Sequence, residues 1–264
     1  MKHFKLMMLG LALSAGFTTQ MQAQEAQSFV HQQSNTEDYI WPTDPQVLTK
    51  LKHWQDQKFG VLMHWGLYSV PGVVESWSIC SEDWIVRERK PTYEEDKAWY
   101  WSQKDSLNPV NFDPSKWADV MKKAGMKYMI FTTKHHDGFC MFDTKYTDFS
   151  IAHGPFGKDP RHNIAKEVFN AYRNKGFMIG CYFSKPDWHS KWFWNPYYAT
   201  PNRRINYKKK QHPDWWQNYR KFTQNQLNEL TTDYGNIVFH AYRFKYYYLY
   251  HRFFYSDIRI MFTK

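Results

Sequence analysis

Short apolar runs alternating with amphipathic helical stretches predict an α/β fold built on a parallel sheet. Three observations carry this reading. The runs Phe59–His64, Lys127–Thr133 and Phe177–Phe183 are of strand length and lie between turn residues. Helical stretches of 11 or more residues separate the later runs, as βα units require. Each run also ends in chemistry: His64-Trp65, then Lys134-His135-His136-Asp137, then Tyr182 and Ser184. Active sites of (β/α)8 barrels collect at the C-terminal ends of the strands, so the pattern is of TIM-barrel type. With a fourth run starting at Asn236, the sequence accounts for the first half of such a barrel.

Taken in order, the chain opens with Lys2 and Lys5, an apolar stretch Leu6–Phe17, and Met21-Gln22-Ala23. This is the layout of a signal peptide over 1–23, and the apolar stretch is too short for a membrane span. Export to the periplasm or the extracellular space is expected, with no membrane partner after cleavage. Residues 24–38 are polar and read as a flexible leader, and 39–237 as the half-barrel. Pro45–Gln57 reads as a helix, and Phe59–His64 as a buried strand. Residues 67–112 are irregular, a long loop with some helix. Pro114–Ala124 is helical, with proline at its start and Gly125 past its end. Lys127–Thr133 is a buried strand, Asn163–Lys175 a helix closed by Gly176, and Phe177–Phe183 a third strand. Pro213–Asp233 is a long helix ending near Gly235.

Composition narrows the function. Aromatics make up 20% of 264 residues, too many for a disordered chain. The net charge of +10 suggests a nucleic-acid partner until it is located. Residues 24–237 hold 28 basic and 24 acidic residues, an ordinary balance, so no nucleic acid is expected. Cys80, Cys140 and Cys181 are an odd set for an exported chain and read as buried apolar residues rather than nucleophiles.

The strand ends also carry a family resemblance. Lys58-Phe-Gly-Val-Leu-Met-His-Trp-Gly-Leu-Tyr-Ser-Val-Pro71 resembles the first strand of the α-L-fucosidases of glycoside hydrolase family 29. Ala124-Gly-Met-Lys-Tyr-Met-Ile-Phe-Thr-Thr-Lys-His-His-Asp-Gly-Phe139 resembles the second-strand block. Gly180-Cys-Tyr-Phe-Ser184 with Asp187-Trp188 resembles the third, and Tyr234-Gly-Asn-Ile237 the lead into the fourth. The resemblance implies hydrolysis of terminal α-L-fucose from glycans with retention, without a metal or organic cofactor. Its partner would be a fucosylated oligosaccharide or glycoconjugate. His64, His135 and His136 would hydrogen-bond the sugar hydroxyls, and Tyr182 would line the pocket. An acid–Trp pair from the first loop completes the site. Either Glu75 with Trp77 or Glu82 with Trp84 would fill that place, neither being the family's uninterrupted pair, and Glu75 and Trp77 are taken as the site residues.

Beyond Ile237 the family pattern calls for a Trp-x-Asp-Gly strand end carrying the nucleophile, and for an acid/base Glu further on. Residues 238–264 contain neither, so no catalytic carboxylate is expected in this chain. Eleven of these 27 residues are aromatic, and none is Gly, Pro or Glu. The tail therefore reads as aberrant and frameshifted, against the alternative of a lineage-specific ending. A fucose-binding remnant without hydrolysis is the alternative function. A metal on His135, His136 and Asp137 is disfavoured, because neighbours on a regular strand point to opposite faces. The basic cluster Arg203-Arg204 with Lys208–Lys210 reads as a solvated loop face. The Trp188–Tyr198 segment is either an extended subsite or loop packing.

Overall fold

The computed structural model describes residues 43–80, 90–199 and 203–241. The signal peptide, the leader, Glu82, Trp84 and the tail past residue 241 lie outside the described residues. The chain divides into two compact units, Met1–Leu48 and Thr49–Lys264. The boundary falls within the first helix, α1 (Pro45–Asp56), whose opening turn is capped by the Asp44 carboxylate accepting from the Gln46 N–H at 2.8 Å.

The second unit is built on four parallel strands in the order in which they occur: β1 (Gly60–Met63), β2 (Tyr128–Lys134), β3 (Met178–Phe183) and β4 (Phe239–Ala241). Every adjacent pair is parallel, so each connection is a crossover, and helices supply it. Between β1 and β2 lie α2 (Tyr93–Ser102) and α3 (Pro114–Lys123); α4 (Ile164–Asn174) joins β2 to β3, and α5 (Pro213–Thr232) joins β3 to β4.

The caps show why the helices begin and end where they do. Asp113 accepts from the Lys116 N–H ahead of Pro114, and Asn163 accepts from the Lys166 N–H. Gly125, Gly176 and Gly235 follow α3, α4 and α5 with positive φ. α2 was legible only as some helix within an irregular loop. What fixes it is a capping box, in which the Thr92 side chain accepts from Glu95 N–H and Glu95 answers to the Thr92 N–H.

The core lies between the sheet and its helices. Phe131 of β2 meets Phe169 of α4 edge to face at 6.3 Å. Val168, Phe169 and Tyr172 on α4, and Met129, Phe131, Ile179 and Phe183 on the strands, are buried. β1 departs from the expected buried strand. Its residues are half-buried and Leu62 is 49% exposed. The reason is position: among the described residues β1 is the first strand of the sheet and pairs only with β2. Gly60 is required there, since a Cβ at that position would sit 2.5 Å from the Tyr128 ring on the paired strand.

One irregularity matters for the site. β2 and β3 run in register until Thr132↔Tyr182, but the next pair is Lys134↔Phe183. Thr133 is thus an extra residue in β2, a bulge, and its hydroxyl donates to the Tyr182 carbonyl at 2.9 Å. The three cysteines are free and buried, as expected.

Candidate functional site

The site is assembled where β1, β2 and β3 end. His64 follows β1 directly, and its Nδ1 lies 2.7 Å from the Thr132 hydroxyl of β2. Its ring meets Tyr182 edge-on at 5.0 Å and His135 at 5.7 Å. Tyr182, near the end of β3, stacks on His135 at 5.9 Å with the planes 15° apart. His136 lies 4.6 Å from His135, against Trp77 at 5.1 Å and Trp188 at 4.9 Å.

Glu75 enters from a 3-10 turn, Glu75–Ile79, in the loop after β1. Its backbone sits at φ 46°, a left-handed conformation that costs a non-glycine residue about 1 kcal/mol or more. That conformation puts two consecutive side chains on one imidazole. Glu75 Oε2 is 3.2 Å from His135 Nε2, and the Ser76 hydroxyl pairs with His135 Nδ1. The Trp77 indole N–H also donates to Glu75 Oε2, at 3.1 Å. The hydrogen bond from His135 holds the Glu75 carboxyl down to about 2, with the fields of His135 and His64 acting the same way and partial burial opposing them. Glu75 is therefore an anion throughout the neutral and mildly acidic range.

The six residues expected from sequence, His64, Glu75, Trp77, His135, His136 and Tyr182, form one contiguous cluster. Glu82 and Trp84 lie outside the described residues. His135 and His136 follow the bulge and the end of β2, so the regular-strand alternation on which a shared ion was disfavoured does not govern them. Asp137 is engaged elsewhere: it accepts from the Tyr100 hydroxyl at 2.6 Å and from the Phe139 N–H at 3.0 Å. Burial raises its carboxyl. A different set can present ligand atoms together, namely His64, Glu75 and His135, all within 4.8 Å of one another.

Sequence reasoning missed what supports this cluster. Lys134 is wholly buried at the end of β2, and its ammonium pairs with Asp187 at 3.0 Å and donates to Gln226 of α5 at 3.2 Å. The Phe183 ring lies 4.2 Å beneath the charge. The other oxygen of Asp187 accepts from the His189 and Ser190 N–H groups. A Cβ at Gly138 would collide with that carboxylate, and Gly138 has φ 83°, so the turn after His136 admits only glycine. One salt bridge thus ties the segment bearing both histidines to the loop bearing Trp188. The signal was visible as Lys134 and Asp187 in adjacent strand-end blocks, but nothing in sequence pairs them. The Trp188–Tyr198 segment divides in role. Trp188 walls the site against Trp77 and His136, while Trp194 stacks behind it at 4.9 Å and Phe193 is buried in packing.

Imidazoles, a fixed carboxylate and indole faces are the groups that grip a sugar, and comparison with known proteins places the chain among the glycoside hydrolases. Residues 26–249 match the family model described as alpha-L-fucosidase, and the chain belongs to that family, glycoside hydrolase family 29. The match begins inside the segment read as a leader and continues past Ile237, where the residue-by-residue resemblance stops. The human plasma alpha-L-fucosidase is 31% identical over 155 residues, 53% of this chain and 30% of that protein. Alpha-L-fucosidase isoenzyme 1 of Paenibacillus thiaminolyticus superposes with a TM-score of 0.59 at 34% identity, covering 75% of this chain and 43% of that one. A family 29 enzyme of Bacteroides thetaiotaomicron, solved as a trapped covalent intermediate with 2-fluoro-fucosyl fluoride, gives 0.56 at 31% identity, covering 79% and 43%. The chain spans less than half the length of these relatives.

Proposed function

We propose that the cluster is the fucose-binding half of a retaining α-L-fucosidase site, carried on the first half of a (β/α)8 barrel. The observation that carries this is the convergence of His64, Glu75, Trp77, His135, His136 and Tyr182 at one end of a parallel sheet, within the span matched by the family. Imidazole nitrogens and an anionic carboxylate suit the ring hydroxyls, and the indole and phenol faces suit the C–H surface and methyl group of fucose.

Hydrolysis with retention needs two carboxyl groups about 5–5.5 Å apart, one attacking the anomeric carbon and the other protonating the leaving oxygen. Glu75 is committed to His135 and Trp77, and held as an anion it cannot act as the acid. No Trp-x-Asp-Gly follows Tyr234-Gly-Asn-Ile237 in this sequence. The 264-residue chain is therefore proposed to bind fucose and to lack turnover, the two catalytic carboxylates being foreign to its described half-site. The test is titration of the purified chain with L-fucose and with D-glucose, followed by calorimetry and tryptophan fluorescence, beside an aryl α-L-fucoside assay. Saturable binding of L-fucose alone is expected, with no turnover above buffer. Equal response to both sugars would refute the site, and turnover within tenfold of ordinary enzyme rates would refute the missing catalytic pair.

We further propose that the chain is exported, on the strength of Lys2, Lys5 and Leu6–Phe17. No helix among the described residues is long and apolar enough to cross a membrane. Amino-terminal sequencing of the secreted product should begin at Gln24.

A further inference from the structure

The same end of the sheet carries a second chemistry. We propose that His64, His135 and Glu75 form a binding site for a divalent late first-row cation, of which zinc is the representative. The three side chains come from three places, the end of β1, the end of β2 and the 3-10 turn between them, and their ligand atoms lie within 4.8 Å of one another. Two imidazoles and one carboxylate with a remaining position for water is a known donor set for zinc, at about 2.0–2.2 Å per ligand. Tetrahedral zinc would hold the donors about 3.4 Å apart. His135 Nε2 and Glu75 Oε2 are already at 3.2 Å, so only the His64 ring must close in.

The surroundings of the imidazoles argue for this more than the distances do. Metal-bound histidines use their second nitrogen on an oxygen partner, which fixes the ring and the tautomer. Both rings have that arrangement. His64 Nδ1 is held by Thr132 and His135 Nδ1 by Ser76. Both partners can donate or accept, so each imidazole can be neutral with Nε2 as the ligand nitrogen. The donor set contains no thiol, and Cys80, Cys140 and Cys181 are all buried in the core. Nitrogen and oxygen donors without sulfur favour zinc, nickel or cobalt over magnesium and calcium.

The metal site stands on this geometry alone. Its consequence rests on the fucose reading: a cation on these three groups occupies the positions offered to sugar hydroxyls, so metal and sugar exclude one another. Zinc would then be a competitive inhibitor of binding rather than a cofactor.

The experiment is titration of the full chain with zinc against a chromophoric chelator, and with cobalt(II) followed by absorption. Saturable binding near one ion per chain is expected, with cobalt d–d bands and no thiolate-to-cobalt charge-transfer band. Glu75→Gln and His64→Gln should each weaken zinc at least tenfold, and Thr132→Val by about 10–100-fold through the loss of its hold on His64. His162→Gln, at a separate His–Asp pair, should bind as the parent does. Glu75 and His64 are only partly buried, so these variants report on the site rather than on folding. No saturable binding, a thiolate band, or unchanged affinity in both ligand variants would overturn the proposal. Zinc that binds while L-fucose neither binds nor competes would leave the metal site standing and remove the sugar reading. Fucose binding without zinc binding would do the reverse.

Discussion

Replacing Lys134 with Met removes an ammonium from the inside of the protein and leaves the stem in place. In the parent, that charge is wholly buried, 3.0 Å from Asp187 and 3.2 Å from Gln226, with Phe183 below it. The substitution strands a buried carboxylate. Removing one member of a buried pair costs about 3–5 kcal/mol, because the remaining charge keeps its desolvation penalty and loses its compensation. Asp187 retains the His189 and Ser190 N–H groups, which places the expected loss at the lower end, about 3 kcal/mol. For a domain of this size that is a drop in Tm of about 6–12 °C. Equilibrium urea unfolding, followed by tryptophan fluorescence and far-ultraviolet circular dichroism, would measure it. The companion variant is Lys134→Met with Asp187→Asn. If the stranded charge is the cause, the double variant should recover more than half the loss. A single variant within about 1 kcal/mol of the parent, or a double variant whose losses simply add, would refute the argument.

Three further outcomes follow from the same geometry. Burial raises the Asp137 carboxyl above its unfolded value, so the folded state favours its protonated form; stability from this group is present below about pH 4 and declines as pH rises through the folded value. Asp137→Asn should therefore flatten the fall in stability as pH rises above about 4, and an unchanged slope by urea unfolding would count against it. Tyr234→Phe removes a hydroxyl that donates to the Asp143 carbonyl at 2.9 Å and accepts from Asn163 at 3.0 Å, and should cost about 1 kcal/mol, with neutrality in thermal unfolding as the contrary result. The proposed frameshift predicts that re-reading the locus after codon 237 in the other frames restores a Trp-x-Asp-Gly segment. A continuous open frame in independent isolates would dismiss it.

The strands β2 and β3 and the helices α3, α4 and α5 were legible because their signals are local: apolar runs of the right length, Pro114 and Pro213 at helix starts, and glycines past the ends. The same signals misjudged β1. An apolar run such as Phe59–Met63 does not say whether the strand has one neighbour or two, and burial follows from neighbours. The site was legible as a set of residues because each sits at a strand end. Its geometry was not. The bulge at Thr133 is a relation between β2 and β3, and it is what lets adjacent histidines serve one cluster. The left-handed Glu75 likewise has no sequence signature, since glutamate rarely adopts that conformation. The buried Lys134 looks from sequence like any strand-end lysine, and only the fold supplies Asp187 and Gln226.

The sequential order of the strands has a bearing on how the chain is made. Each strand pairs with the one synthesised before it, so the sheet can grow as the chain leaves the ribosome. Lys134 is the exception to this easy schedule. Asp187 follows it by 53 residues and Gln226 by 92. At about 5–20 residues per second, the ammonium waits roughly 5–20 s after its own synthesis before its last partner exists. Until then β2 and β3 can pair, but closing their ends would desolvate a half-compensated charge. The nascent chain should therefore keep the C-terminal end of the strands open and hydrated while the opposite end consolidates, and seal it only when α5 arrives.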